Sequence, residues 1–225
     1  MTSQGECDSG RDAEAARLRE RMVTSQLIGR DITDQRVLNA MRRVPRHKFA
    51  GPVPLTTAYG DHPVPIGFGQ TISQPYIVAL MTQLGRPESR SRVLDVGTGC
   101  GYLAAVLSEL VEHVWSLEIV PELAESAAAR LRMLGYFNID VLCRDATGGL
   151  PEQAPFDLIL SAAAPASVPC ALVDQLAPNG RLVLPVGAGR QELFVYSKTE
   201  DGFVESQNIG AVSFVPMTGE AGGQQ

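Results

Sequence analysis

Val93-Leu94-Asp95-Val96-Gly97-Thr98-Gly99-Cys100-Gly101-Tyr102 joins a β-type apolar run to a turn with glycine at every second position, and then to a helix start. Glycine adopts positive φ without strain and carries no Cβ, so a ligand can sit against bare backbone. In an open α/β sheet such a turn lies at the carboxyl end of the first strand, where ligands bind. The spacing is G-x-G-x-G, one residue tighter than the G-x-G-x-x-G dinucleotide fingerprint. Asp95 also stands two positions before the first glycine, where a dinucleotide fold normally carries an apolar residue.

Downstream of this stretch, short β-type runs at His113–Glu118, Asn138–Cys143, Phe156–Ser161 and Arg181–Val186 alternate with helical segments near 102–110, 121–134 and 169–177. Arg92–Val96 is the first of these strands. Strands alternating with helices predict a parallel sheet with right-handed crossovers and helices on both faces. Glu192–Ser197 and Ala211–Pro216, around a turn at Asp201-Gly202, read as an antiparallel edge. Pro121 suits a first helical turn and Gly135 a helix end. Upstream, Ala13–Val44 is helical, with Thr33 or Asp34 as an N-cap, and Ile77, Val78, Leu80, Met81 and Leu84 mark an amphipathic helix. Residues 46–74, rich in glycine and proline, predict a long irregular stretch, which in a compact domain is usually functional.

The chain has 225 residues, 44% of them hydrophobic and 20% charged, which suits one globular domain. Residues 1–12 read as a disordered tail and 13–218 as a single domain, with N-terminal helices and a substrate-side loop over 13–90 and a Rossmann-like core over 91–218. Residues 219–225 read as a second disordered tail. A net charge of −6 argues against nucleic acid as a partner. The apolar runs are too short and too broken for a bilayer span, and Met1–Arg11 lacks the order of a signal peptide. Four cysteines and three histidines show no metal spacing. The expectation is a cytoplasmic protein with reduced cysteines, no metal and no membrane association.

Glu118 ends the second core strand, 17 residues after Gly101, and a carboxylate there accepts hydrogen bonds from both hydroxyls of a ribose. Asp145 follows the third strand, where an adenine amino group would lie. The early acid, the glycine turn and Glu118 together resemble the S-adenosylmethionine site of class I methyltransferases. In that reading Asp95 faces the cationic methionine end of the donor.

More specific are Arg43-Val44-Pro45-Arg46-His47-Lys48-Phe49, Ala58-Tyr59-Gly60-Asp61 and Pro65-Ile66-Gly67-Phe68-Gly69-Gln70-Thr71-Ile72-Ser73-Gln74-Pro75-Tyr76. With Ala162-Ala163-Ala164-Pro165, Gly180-Arg181-Leu182-Val183, Pro185-Val186-Gly187 and Phe214-Val215-Pro216, they resemble the protein-L-isoaspartate (D-aspartate) O-methyltransferase family from about residue 18 to 218. The Gly69-to-Pro75 run discriminates best, because the glycine turn is common to all class I methyltransferases. The resemblance implies methyl transfer from S-adenosyl-L-methionine, leaving S-adenosyl-L-homocysteine, to the free carboxylate of an isoaspartyl residue in damaged proteins and peptides. The ester then collapses through a succinimide. It implies Ser73 at the active site and cofactor contacts at Gly69, Gln70, Asp95, Gly97, Thr98, Gly99, Gly101, Glu118, Asp145 and Ala146. Thr71, Ser73, Val212, Val215 and Thr218 are implied for substrate, the C-terminal strand pairing with its backbone. A monomer is expected.

Ser73 also reads as a plain N-cap for the helix opened by Gln74-Pro75, a role compatible with catalysis. Tyr59 and Asp61 are candidate walls of the substrate cleft, and the three histidines read as structural. Arg144-Asp145-Ala146 stands where the family usually has Gly-Asp-Gly, and Cys100 where serine is frequent. Two other functions fit the same motifs: methylation of particular aspartates in a ribosomally made peptide, and a non-catalytic module that binds S-adenosylmethionine.

Overall fold

A computed structural model describes residues 3–219, with side chains from residue 10 onward. Helix α1 (Ser3–Met22) passes into a π-helical turn (Val23–Ile28), followed by α2 (Gln35–Arg43) and the one-turn α3 (Leu55–Ala58). The hairpin β1 (Val64–Gly67) and β2 (Gln70–Ile72) leads into α4 (Pro75–Gly85). The core then runs β3 (Arg92–Val96), α5 (Tyr102–Ser108), β4 (His113–Glu118), α6 (Pro121–Met133), β5 (Ile139–Cys143) and β6 (Phe156–Ser161). It closes with α7 (Cys170–Asp174), β7 (Leu176–Val186), β8 (Gln191–Lys198) and β9 (Val204–Val212).

The large sheet has the order β5-β4-β3-β6-β7-β8-β9, parallel through β7 and antiparallel for the last two strands. The chain moves outward from β3 to β5, then crosses back to β6 and beyond. The carboxyl ends of β3 and β6 therefore flank the point where strand order reverses, which opens a crevice for a ligand. This is the expected doubly wound α/β architecture with an N-terminal helical cap.

Four local expectations need correction. The stretch read as a disordered N-terminal tail is helical from Ser3, since the Ala-, Glu-, Arg- and Leu-rich run after Asp12 forms a strong helix that propagates at little cost. Of the C-terminal tail, Gly219 lies against Asp145, and residues 220–225 fall outside the described residues. The stretch 46–74 carries α3 and the β1–β2 hairpin, whose tip Gly67-Phe68-Gly69 has φ of 93°, 53° and 70°. The last strand is Val204–Val212, earlier than Ala211–Pro216. As a largely exposed edge strand it shows no apolar alternation, whereas the Phe214-Val215-Pro216 run belongs to a strap that leaves the sheet.

Candidate active site

Beyond Val96 the chain turns on Gly97, Gly99 and Gly101, with φ of 90°, 54° and 89°. The Gly97 and Thr98 N–H groups both donate to the Leu117 carbonyl (2.9 and 3.1 Å), which pins the turn to the end of β4. Glu118 closes the other side. Its Oε2 accepts the Gly99 N–H (2.8 Å) and its Oε1 the Val120 N–H (3.0 Å), so a carboxylate only 6% exposed is held at the cavity wall. The cavity spans about 580 Å³ and is lined by Gln70, Thr71, Gly97, Gly99, Glu118, Ala146, Val215 and Thr218 among the expected residues. Leu117, Ile119, Val120 and Ala163 add apolar wall. A carboxylate acceptor beside bare backbone, with aliphatic side chains for a flat base, matches an adenosyl group in donor chemistry and shape.

Asp95 departs most from its expected place. It is fully buried beneath the turn and does not line the cavity. Ser116, its neighbour across β3 and β4, donates to Oδ2 (2.7 Å), and Thr98 Oγ1 lies 2.6 Å from the Ser116 hydroxyl. Oδ1 has no hydrogen-bond partner among the described residues. Burial pushes this carboxyl up to about 7, against the lowering by Ser116, with Glu118 adding repulsion. Asp95 thus supports the turn from below, through Ser116 and Thr98.

Others also stand back from the cavity. The Thr98 hydroxyl is turned inward to Ser116, and Gly101 caps α5 against Leu131. Gly69 sits exposed at the hairpin tip. Asp145 accepts the Thr147 N–H (2.8 Å) and lies against Gly219. Arg144 turns away to Glu152 (2.5 Å), so among the residues departing from the family pattern only Ala146 meets the cavity.

A wider cleft of about 1290 Å³ holds Thr71, Ser73, Val212 and Val215 together with Arg30 and Tyr76. Ser73 is not the N-cap of α4. Gln74 occupies that position without a side-chain capping bond, and Pro75 opens the helix. Its hydroxyl has no partner among the described residues and is half-buried at the cleft. A third space of about 290 Å³, lined by Ser73, Gly97 and Gly99, shares wall residues with both. Thr71 and Ala162 line all three spaces and so form the junction between cavity and cleft. Thr218, expected at the substrate, lies along the cavity instead. Tyr59 does not wall the cleft: it is 3% exposed, its hydroxyl 2.7 Å from His47 Nδ1. Asp61 pairs with Arg30 at 3.4 Å.

Ala162 and Ala163 were visible in the sequence only as part of a motif. Their position just past β6, on the far side of the strand reversal from β3, is the signal that marks them as ligand-facing.

Comparison with known proteins gives the family and repeats the fold. A family model described as protein-L-isoaspartate(D-aspartate) O-methyltransferase matches residues 18–222. A protein-L-isoaspartate O-methyltransferase of Nitrosococcus oceani is 51% identical over 203 residues, 90% of this chain and 93% of its own. One from Marinobacter nauticus is 51% identical over 91% of this chain and 94% of its own. A solved protein-L-isoaspartate O-methyltransferase superposes with a TM-score of 0.82 at 27% identity, covering 91% of this chain and 67% of that one. A Plasmodium falciparum protein assigned to the same activity, solved in complex with S-adenosyl-L-homocysteine, gives 0.77 at 27% identity over 89% and 98% of the two chains.

Proposed function

This chain belongs to the protein-L-isoaspartate (D-aspartate) O-methyltransferase family, and from that premise we propose that it methylates the free α-carboxylate of L-isoaspartyl, and also D-aspartyl, residues in damaged proteins and peptides. The donor is S-adenosyl-L-methionine and the product S-adenosyl-L-homocysteine. It works as a cytoplasmic monomer. Among the described residues no helix is long and apolar enough to cross a membrane.

The observation that carries this reading is the Ser73 hydroxyl, without a partner among the described residues, at the cleft and beside the glycine turn that also borders the Glu118 cavity. The donor, when bound, supplies a methyl group already activated on a cationic sulfonium. A carboxylate with a pKa near 4 is ionised at neutral pH, so the protein needs no general base. Its tasks are alignment and exclusion of water, together worth up to roughly 7–11 kcal/mol. Glu118 and the turn hold the nucleoside end. Ser73 donates a hydrogen bond to one carboxylate oxygen, and the first-turn N–H groups of α4 add a partial positive charge nearby. Thr71 and Ala162 close the junction, so that the second oxygen has one direction of approach.

The decisive assay supplies labelled donor with paired peptides that differ only in the aspartyl linkage. Release of volatile label from the isoaspartyl peptide alone is expected. Equal methylation of the normal peptide would favour a dedicated peptide substrate, and no transfer would mark a binding module. Ser73→Ala should lower kcat/KM about 10–100-fold, the value of a hydrogen bond to a charged group. Its unfolding midpoint should hold, because Ser73 makes no capping bond; a midpoint that falls in step with activity refutes the direct role.

A further inference from the structure

Gln191 opens β8, and its backbone is paired with Val212, the last residue of β9. Beyond Val212 the main chain leaves the sheet edge, and the Gln191 side chain takes over the pairing. Its Oε1 accepts the Phe214 N–H (2.6 Å), and its Nε2 donates to the Phe214 carbonyl (3.0 Å). A carboxamide presents the same donor and acceptor as a peptide group, so this contact is one more rung of the ladder, made by a side chain. Gln191 is only 9% exposed, and both polar atoms are satisfied by that one residue.

The next anchor lies across the sheet, just past the end of β6. There the Ala164 N–H donates to the Val215 carbonyl (2.9 Å), and the Met217 N–H donates to the Ala164 carbonyl (2.7 Å). Residues 213–218 therefore form a strap hung from two points, the Gln191 carboxamide at the sheet edge and the Ala164 peptide at its centre. Val215 and Pro216, on this strap, face both the nucleoside cavity and the substrate cleft.

We infer that Gln191, which touches neither cavity nor cleft, is a positioning residue for both: its clamp on Phe214 sets the strap that walls the donor and edges the substrate. The clamp also sorts the strap's hydrogen-bonding groups. With both Phe214 groups occupied, the Ser213 N–H and carbonyl and the Val215 N–H remain without a backbone partner among the described residues, and these are the groups a peptide can use. This assignment rests on the methyltransferase reading.

The test is Gln191→Leu, which keeps the side-chain size and removes both bonds, beside Gln191→Glu, which keeps an acceptor for the Phe214 N–H and loses the donor. In the Leu variant, KM for an isoaspartyl peptide and Kd for S-adenosyl-L-homocysteine should each rise about tenfold or more, with kcat within about threefold. Amide exchange at Phe214 should accelerate at least about tenfold while the β7–β8 ladder keeps its protection. The Glu variant should fall between, and it decides alone if the Leu variant does not fold. Unchanged exchange at Phe214, or a rise in only one of KM and Kd, overturns the shared anchor. So does a lower Tm with both constants unchanged. Wild-type protein that ignores isoaspartyl peptides refutes the functional reading instead, and leaves exchange and Kd to judge the clamp.

Discussion

Replacing Asp95 by asparagine should make the protein gain stability relative to the wild type as pH rises, an unusual direction for the loss of an acid. The carboxyl is wholly buried, and its value is pushed up to about 7 by that burial first and by Glu118 as well. In the unfolded chain the same group returns to about 3.8. Below the unfolded value both states are protonated and nothing is lost. Between the two values the unfolded chain releases a proton that the folded protein retains, so stability falls with rising pH, and the fall is complete once pH passes about 7. A gap of roughly three units at 1.36 kcal/mol each gives about 4 kcal/mol lost by pH 8. By pH 5 only the first 1–2 kcal/mol have gone. The asparagine variant has no such dependence. Its Oδ1 can still accept from Ser116, while its amide N–H groups face the site where Oδ1 of Asp95 has no partner, a fixed penalty of about 1–3 kcal/mol at every pH. The test is therefore the slope and not the offset. Urea midpoints at pH 5, 6, 7 and 8 should show the variant gaining about 2–3 kcal/mol on the wild type across the series. That is about 1 M urea at an m near 2–3 kcal/mol/M. A difference that stays flat with pH, or grows in favour of the wild type, refutes the upward displacement of the Asp95 carboxyl by burial beneath the turn.

The parts of this fold that could be read from sequence were those in which burial imposes a pattern. Strands Arg92–Val96, His113–Glu118 and Phe156–Ser161 begin and end where their apolar runs predict, because each lies inside a parallel sheet between helices. The edge strand Val204–Val212 has no buried face to write a pattern, so the apolar run at 211–216 points to a strand later than the real one. Asp95 was misplaced for a related reason. Proximity to a glycine turn suggested a ligand-facing acid, but the deciding fact is its register opposite Ser116, a polar residue fully buried in the adjacent strand. That pair becomes visible only once β3 and β4 are aligned. That Glu118 lines a cavity follows from its place at the tip of the second core strand, which can face only the crevice. The Thr71–Ala162 junction was not legible, since it exists only when the hairpin ahead of α4 and the end of β6 meet in space. Ser73 was half legible: the helix after it was correct, but proline at the first position moved the cap to Gln74 and left the serine hydroxyl free for other work.

Two further substitutions probe the same crevice from opposite sides. Gly101→Ala should destabilise the protein by about 1–2 kcal/mol, because the position has φ of 89° and the new Cβ would stand 3.2 Å from Leu131. Differential scanning calorimetry should show Tm lower by roughly 3–8 °C, and an unchanged Tm would mean that the turn relaxes freely. Glu118→Gln replaces two carboxylate acceptors by one acceptor and one donor, so an amide N–H must point at either the Gly99 or the Val120 N–H. Either the turn loses its Gly99 tie, one of three to the end of β4, or Val120 loses its own, and a bound ribose loses an ionised partner, a hydrogen bond of about 1.5–3 kcal/mol. Titration calorimetry with S-adenosyl-L-homocysteine should therefore give a Kd about 10–100-fold higher, with KM for the isoaspartyl peptide nearly unchanged at saturating donor. If Kd holds and the peptide KM rises, Glu118 serves the cleft and not the nucleoside, and the placement of the donor in the 580 Å³ cavity must be given up.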